Sequence, residues 1–410
     1  MPITAQAIEN SGKLGLNISR LEVLERFLKD FFAKDLRQGG VIKVCVQGVP
    51  VFEGNYGNST KEYGLNEDTI FPVASITKTF VSTLLHILQE DGLVDLAYPA
   101  CRYLPEFTGD GRENIMLWHF LTHTSGINDD ELWPDIDDYA AKEYKVDHPG
   151  KGASHAKWME FYKAVCEKMG LVWDAPRSDR FNDIGYALSL KIPMRHKPRS
   201  LMSYSTYGYD RLKNVIDLIT GEPIDTFARR VLFEPLGMYD THFILPKEKW
   251  DRVIGLCERA RSYGWWGSED SNNNESGGGG LKTTVNDMSR FLQMLADGGI
   301  YNGKRILSKA SMKQICANHN EGVPSAEDSN KYTQWSAWSL GWNKADKKDD
   351  SGMLRRASAL DHGGAGGTKV LFDPDARLTV ALFTAMYNMR DEEQPIFYGP
   401  VFNILYSAFE

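Results

Sequence analysis

A basic excess, long apolar runs and a cysteine framework are all missing from this chain, and each absence removes a class of function. The 410 residues carry 47 lysines and arginines against 55 aspartates and glutamates, a net charge of −8, and the pI is near 5.7. There is no basic stripe and no RNA-binding or zinc-finger spacing, so nucleic acid is not an expected partner. No stretch approaches the roughly 18 apolar residues of a membrane span. The opening MPITAQAIENSGKLGLNIS has no charged segment followed by an apolar one, so neither a membrane anchor nor a secretory leader is expected. Five cysteines, Cys45, Cys101, Cys166, Cys257 and Cys316, are scattered and odd in number. They suit reduced thiols rather than disulfides or a CxxC metal clip, and with the missing leader they point to a cytoplasmic protein.

What remains is an ordinary globular composition, 42% hydrophobic and 25% charged, in a chain long enough for one large or two joined domains. From Ile18 to Leu36 apolar residues recur at helical spacing until Gly39-Gly40 stops them. VIKVCVQGVPVFEGNYG reads as a hairpin turning at Gly48. Between Asp91 and Asp287 helical patterns dominate. After Gly299 alternation returns in LRRASALDHGG and TKVLFDPDARLTVALFTAMYN, with a turn at DPDA, and PIFYGPVFNILYSAF closes as a helix. The expected fold is α/β in the α+β sense: an antiparallel sheet flanked by helices, built from residues 1–105 and 281–410, with a helical domain over 106–280 inserted between them. SEDSNNNESGGGG, Ser268 to Gly280, is a low-complexity loop that suits a surface turn or the edge of a site.

FPVASITKTFVSTLLHIL, Phe71 to Leu88, reads as a buried helix with Ser75, Lys78 and Thr79 at its mouth. A serine and a lysine three residues apart share one helix face, so Lys78 can reach the Ser75 hydroxyl. The helix N-terminus favours the negative charge that develops in acyl transfer. A lysine walled in by apolar residues loses basicity and can activate the serine. Ser-x-x-Lys recurs at Ser154–Lys157, after the polar loop DHPGKGA, where it is expected to face solvent, and the plain alternative for Ser75 is a helix cap. His119 and His123 stand four apart on a probable helix, but without the glutamate of HExxH or a third ligand no metal is expected.

Three further phrases follow Ser75 in order: LWHFLTHTSGI (Leu117–Ile127), PRSLMSYSTYGYDRL (Pro198–Leu212) and DHGGAGGTKVLFDPDARLTV (Asp361–Val380). With EPLGMYDTHF and GGGGLKTTVNDMSRFLQML, they resemble the serine β-lactamase and penicillin-binding-protein superfamily. Within it, the likeness is to the group of class C β-lactamases, D-aminopeptidases, family VIII carboxylesterases and related acyltransferases. The resemblance implies that family's sheet domain plus helical domain, with the site at their junction. It puts the nucleophile on Ser75, its lysine partner on Lys78 and the second-motif tyrosine on Tyr204. The third motif falls on His362, Gly363 and Gly364, and the oxyanion hole on the backbone N–H groups of Ser75 and Ala365. No cofactor is implied.

Two departures from the family pattern bear on substrate. His362 stands where the third motif usually has a permanently charged lysine, which weakens a grip on a substrate carboxylate. Thr206 stands where Tyr-x-Asn would have an amide, which weakens recognition of a substrate amide. The expected activity is a serine carboxylesterase on small or medium esters. A D-amino-acid-specific amidase or peptidase, an acyltransferase, and a scaffold without catalysis are the alternatives. Residues 128–199 form a long insertion carrying Trp133, Trp158 and Trp173, either a lid over the site or an insertion stapled to the helical domain. Trp265, Trp266, Trp335, Trp338 and Trp342 pose the same choice, and LGW at 340–342 makes Trp342 the expected pocket wall beside the substrate.

Overall fold

The computed structural model describes residues 2–34, 39–57, 64–173, 179–255, 268–326, 337–344, 352–385 and 394–409. Trp265, Trp266, Trp335 and Cys257 lie outside the described residues. Two helices, α1 (Ala5–Leu14) and α2 (Ile18–Lys34), precede the hairpin β1 (Gly40–Val46) and β2 (Val49–Tyr56). Gln47 at φ 52° and Gly48 at φ 80° make its tight turn, the twist that suits a two-residue hairpin loop.

Besides β2, β1 pairs on its other edge with a strand more than 300 residues further on, β10 (Leu378–Thr384). The full sheet has six antiparallel strands in the order β2-β1-β10-β9-β8-β7, where β7 is Asn343–Lys344, β8 Leu360–Gly364 and β9 Thr368–Asp373. Both chain ends therefore build one sheet. Alternation decides its faces. Ile42, Val44, Leu371, Val380 and Leu382 pack with Leu24 and Leu28 of α2 and with Phe397 and Val401 of the C-terminal helix Gln394–Tyr406. Val41, Val370, Phe372, Ala381 and Phe383 point the other way, into a larger core with Phe291, Leu292 and Leu295 from the helix Val285–Ala296.

That larger core holds the helix on which the site is built. The expected helix from Phe71 starts later: Phe71–Pro72 is a short strand, β3, paired with β4 (Lys282–Thr283), followed by a 3-10 turn over Ala74–Ile76 and then α3 (Thr77–Glu90). Proline cannot donate to a helical ladder, and Ala74 sits at φ 47°, a left-handed conformation that ends any helix attempted from Phe71. Between Thr69 and His86 every residue is buried except Ser75. Phe80 stacks on Phe291 at 4.0 Å and meets Phe233 at 6.0 Å, so α3 is packed on several sides. Burying one such ring contributes about 2–3 kcal/mol.

The helical part contains α4 (Leu117–Leu121), α5 (Asp129–Tyr144), α6 (His155–Lys168), α7 (Asp179–Ser189) and α8 (Tyr207–Thr220). α5, α6 and α7 share a small core of their own, built on Ile136, Ala140, Phe161, Val165, Ile184 and Leu188. Trp133, Trp158 and Trp173 pack against that core, and a side chain added at Gly185 would meet the Trp133 ring at 2.7 Å. The insertion's tryptophans thus act as staples. Among the described residues no helix is long and apolar enough to cross a membrane.

Candidate active site

Ser75 is the one opening in the buried stretch around it, and Lys78, one turn further on, is fully buried beneath it. The Lys78 ammonium donates to Gly278 O at 2.7 Å, to Ser75 Oγ at 3.1 Å and to Thr206 Oγ1 at 3.4 Å. Burial pulls its pKa down to about 8, against the opposing pull of Asp210 and Asp129. About a tenth is therefore the free amine at pH 7 and most of it above pH 8, with a lone pair that can take the Ser75 proton.

Tyr204 and Thr206 arrive on the loop before α8. Lys78 Nζ lies over the Tyr204 ring, 4.8 Å from its centre, and over Tyr209 at 5.6 Å. Tyr209 itself donates to Leu121 O and belongs to the packing, as do Tyr207 and its partner Ser189. His123, at φ 59°, lies 4.3 Å from Tyr204 between ring centres, and its Nδ1 accepts the Ser205 N–H at 3.0 Å. The proton of this imidazole is therefore on Nε2, and burial holds its pKa well below the ordinary histidine value. His119 Nδ1 likewise accepts a backbone N–H, from Met116, so the two histidines orient separate pieces of chain.

His362 lies on β8, 6.4 Å from Tyr204 between ring centres. A carbonyl can only accept, so the 2.8 Å contact between Nδ1 and Gly363 O fixes the proton on Nδ1. Burial first, then the charges of Lys78 and Lys369, take the pKa of His362 down to about 3, so it is neutral at any working pH. Lys369 is itself paired with Asp361 at 2.5 Å. β8 runs close to the Ser75 turn: a Cβ at Gly364 would stand 2.2 Å from Val73 O and 2.3 Å from Thr368 Oγ1. Gly363 and Ala365 flank it, Ala365 exposed at the turn into β9. Gly364→Ala is expected to push β8 off the Ser75 turn, costing about 1–3 kcal/mol and about 10²-fold in turnover. Thermal unfolding and ester hydrolysis read the two losses separately.

Trp342 is corrected by the structure. It is fully buried, edge-on to Phe372 at 4.9 Å and parallel to Phe291 at 6.4 Å, in the core between sheet and helix. The tryptophan beside the site is Trp338, 4.9 Å from His123, 5.7 Å from His362 and 6.0 Å from Tyr204 between ring centres. Gly341 at φ 91°, against Ser82 of α3, turns the chain between the two.

The Ser268–Gly280 stretch is not a surface turn. Ser271, Asn272, Glu275 and Ser276 are buried, and the Gly278 carbonyl is the shortest contact of Lys78. Asp210 on α8 holds that peptide in place, accepting from Ser276 Oγ at 2.7 Å and from Gly278 N at 3.2 Å. A side chain at Gly278 would collide with Thr206 Cγ2 at 2.3 Å. The second Ser-x-x-Lys stands apart from all this: Ser154 is exposed and caps α6, accepting from Lys157 N at 3.4 Å. Sequence reasoning missed Asp129, Asp210 and Gly278, and it ranked Trp342 above Trp338. Only the resemblance around GGGG offered a signal for any of them.

A hydroxyl at the mouth of a buried helix, a depressed lysine touching it, and a tyrosine packed on that lysine define a serine hydrolase of the β-lactamase type. A model of the Beta-lactamase family matches residues 24–396, and the chain belongs to that family. It is 27% identical to esterase EstB of Burkholderia gladioli over 212 residues, 50% of this chain and 47% of EstB, so the match spans about half the length of that relative. It is 24% identical to an N-acetylmuramyl-L-alanine amidase of Bacillus subtilis (strain 168) over 424 aligned positions, 91% of this chain and 85% of the amidase. A solved family VIII carboxylesterase has a TM-score of 0.66 at 17% identity, covering 95% of this chain and 96% of that one, a likeness of fold.

Proposed function

We propose that the chain is a carboxylesterase that forms an acyl-enzyme on Ser75 and passes the acyl group to water. Ser75 Oγ attacks the ester carbonyl, and its proton goes to the Lys78 and Tyr204 pair, which returns it to the departing alkoxide. The N–H groups of Ser75 and Ala365 receive the negative charge on the carbonyl oxygen. Water then attacks the acyl-enzyme, with the same pair taking its proton, and Ser75 is released as the alcohol with the acid departing.

The observation that carries the ester reading is His362, an uncharged imidazole whose Nδ1–H is committed to Gly363 O. A β-lactam or a peptide C-terminus brings a carboxylate, and here that carboxylate would meet no free cation from the third motif. Thr206 supports the same reading, since its hydroxyl faces Lys78 at 3.4 Å in place of an amide that could both donate and accept. The likeness to esterase EstB adds to it.

The test is turnover of nitrophenyl esters of short and medium acids, D- and L-alanine anilides and a chromogenic cephalosporin, each followed by intact-protein mass. Turnover and a transient adduct confined to the esters is the expected result. D-anilide turnover would instead make the chain a D-amidase, and an adduct released only by an added alcohol or amine would make it an acyltransferase.

A further inference from the structure

We propose that Asp129, on the first turn of the inserted helix α5, is a positioning residue for this site: its carboxylate fixes the Tyr204–Thr206 loop against Ser75 and keeps negative charge beside Lys78. The assignment rests on the Ser75, Lys78 and Tyr204 reading above and adds to it a residue that touches no substrate.

A helix-start aspartate ordinarily serves its own helix, but α5 has its cap already: Asn128 accepts the Asp130 N–H at 2.9 Å. Asp129 serves α8 instead. Its Oδ1 accepts from Ser205 Oγ at 2.7 Å, and its Oδ2 accepts from the backbone N–H of Thr206 at 2.6 Å and of Tyr207 at 3.2 Å. Thr206 is the N-cap residue of α8 and makes no side-chain cap of its own. Its hydroxyl is turned to Lys78. The hydroxyl that would close the helix end is therefore used in the site, and a carboxylate from another helix closes the end in its place, where the helix dipole favours negative charge.

The anchoring is two-sided. His123 Nδ1 takes the Ser205 N–H from one direction while Asp129 takes the next two N–H groups and the Ser205 hydroxyl from the other. Ser205 Oγ in turn accepts the Gly208 N–H at 3.1 Å, so its own hydrogen is free for the carboxylate. Tyr204 and Thr206, the two loop residues facing Lys78, stand on either side of this pinned position. The remainder of α5 is locked into the small core of the insertion through Ile136 and Ala140. The insertion thereby works as a strut for the Tyr204 loop.

Charge is the second half of the role. Facing Lys78 are Asp210 and Tyr209 from α8, Asp129 from α5, Tyr204 from the loop, His123 from the turn after α4 and His362 from β8. Both imidazoles are neutral. Burial pushes the carboxyls of Asp129 and Asp210 up from the ordinary value while their hydrogen bonds and Lys78 pull them back, and ionised they are the anions of this set, Asp210 also facing the cation of Arg211. Deleting the Asp129 charge lets Lys78 lose its proton at lower pH.

The experiment is kcat and KM for a nitrophenyl ester of a short acid across about pH 6 to 10, on wild type, Asp129→Asn, Asp129→Glu and Ser75→Ala. For Asp129→Asn the high-pH plateau should fall about 10²-fold, mainly in kcat, and the acid limb should move to lower pH by about half a pH unit. Asp129→Glu should restore the limb and part of the plateau. An Asn variant with the wild-type limb and plateau, or one whose loss follows its thermal stability with the limb unmoved, overturns the assignment. The limb position does not depend on the folded fraction of the sample. Should the Asn variant not fold, Ser205→Ala removes one of the three bonds and leaves the charge: a lowered plateau with an unmoved limb supports the strut, and a wild-type profile counts against it. If Ser75→Ala is active, the underlying reading fails; if it is inactive while Asp129→Asn behaves as wild type, Asp129 alone is misassigned.

Discussion

Ser75→Ala is expected to give a folded protein that forms no acyl adduct and hydrolyses esters at least about 10⁴-fold more slowly. The size of the effect follows from the absence of a substitute nucleophile at the same place: from Thr69 to His86 every other residue is buried. Stability should change little. Ser75 is half-buried, and Lys78, which loses one acceptor, keeps Gly278 O at 2.7 Å and Thr206 Oγ1 at 3.4 Å. The control is Ser154→Ala, which deletes an exposed cap on α6. That variant should cost about 1 kcal/mol or less and leave turnover untouched. Intact-protein mass after brief exposure to an activated ester reads the outcome. An adduct that persists in Ser75→Ala and vanishes in Ser154→Ala would move the nucleophile to Ser154.

The parts legible in the sequence are those in which side-chain period maps directly onto burial. α2, the β1–β2 hairpin and the β9–β10 pair follow their apolar spacing, because a helix or a strand with one face on a core has no other way to hide it. Ser75 and Lys78 were legible for a related reason: three residues apart on one strip of chain, they meet whatever the rest of the fold does. The start of α3 was not, because Ala74 adopts its left-handed backbone where the turn passes β8 at Gly364, a contact between residues far apart in the chain. Trp342 and Trp338 share one phrase, and the sharp turn at Gly341 sends one into the core and the other to the site. Asp129 acts on a hydroxyl 76 residues away, and nothing in NDDELW distinguishes it from the acidic neighbours on its helix. Ser268–Gly280, being polar and glycine-rich, suits a surface turn as well as the edge of a site. Most of its second half is buried because Asp210, Lys78 and Lys282 supply the hydrogen bonds that water would otherwise make.

Lys78→Arg should be as damaging as loss of the serine in kind, and about 10³-fold or more in size. A guanidinium remains protonated at every working pH, so it has no lone pair for the Ser75 proton. In wild type, acylation requires the free amine, so kcat/KM should rise with pH and level off above about 8. The Arg variant should lack that limb, and a limb retained near 8 would assign the proton to another group. The same lysine makes a statement about stability, and its sign can be worked out. Its ordinary value is 10.5 and its folded value about 8, so between these the unfolded chain binds more protons and stability rises with pH. Below about pH 8 the buried charge costs the fold about 3 kcal/mol, from about 1.4 kcal/mol per unit. Lys78→Met removes that cost but strands the Gly278 carbonyl, a loss of about 1–3 kcal/mol. The two nearly cancel at pH 7, so the informative quantity is the slope: the stability of wild type relative to Lys78→Met should climb by about 3 kcal/mol between pH 8 and 10.5. Denaturant unfolding of both proteins across that range measures it. A flat difference would mean that Lys78 is not buried as a strained cation, and the activation of Ser75 would then need another source.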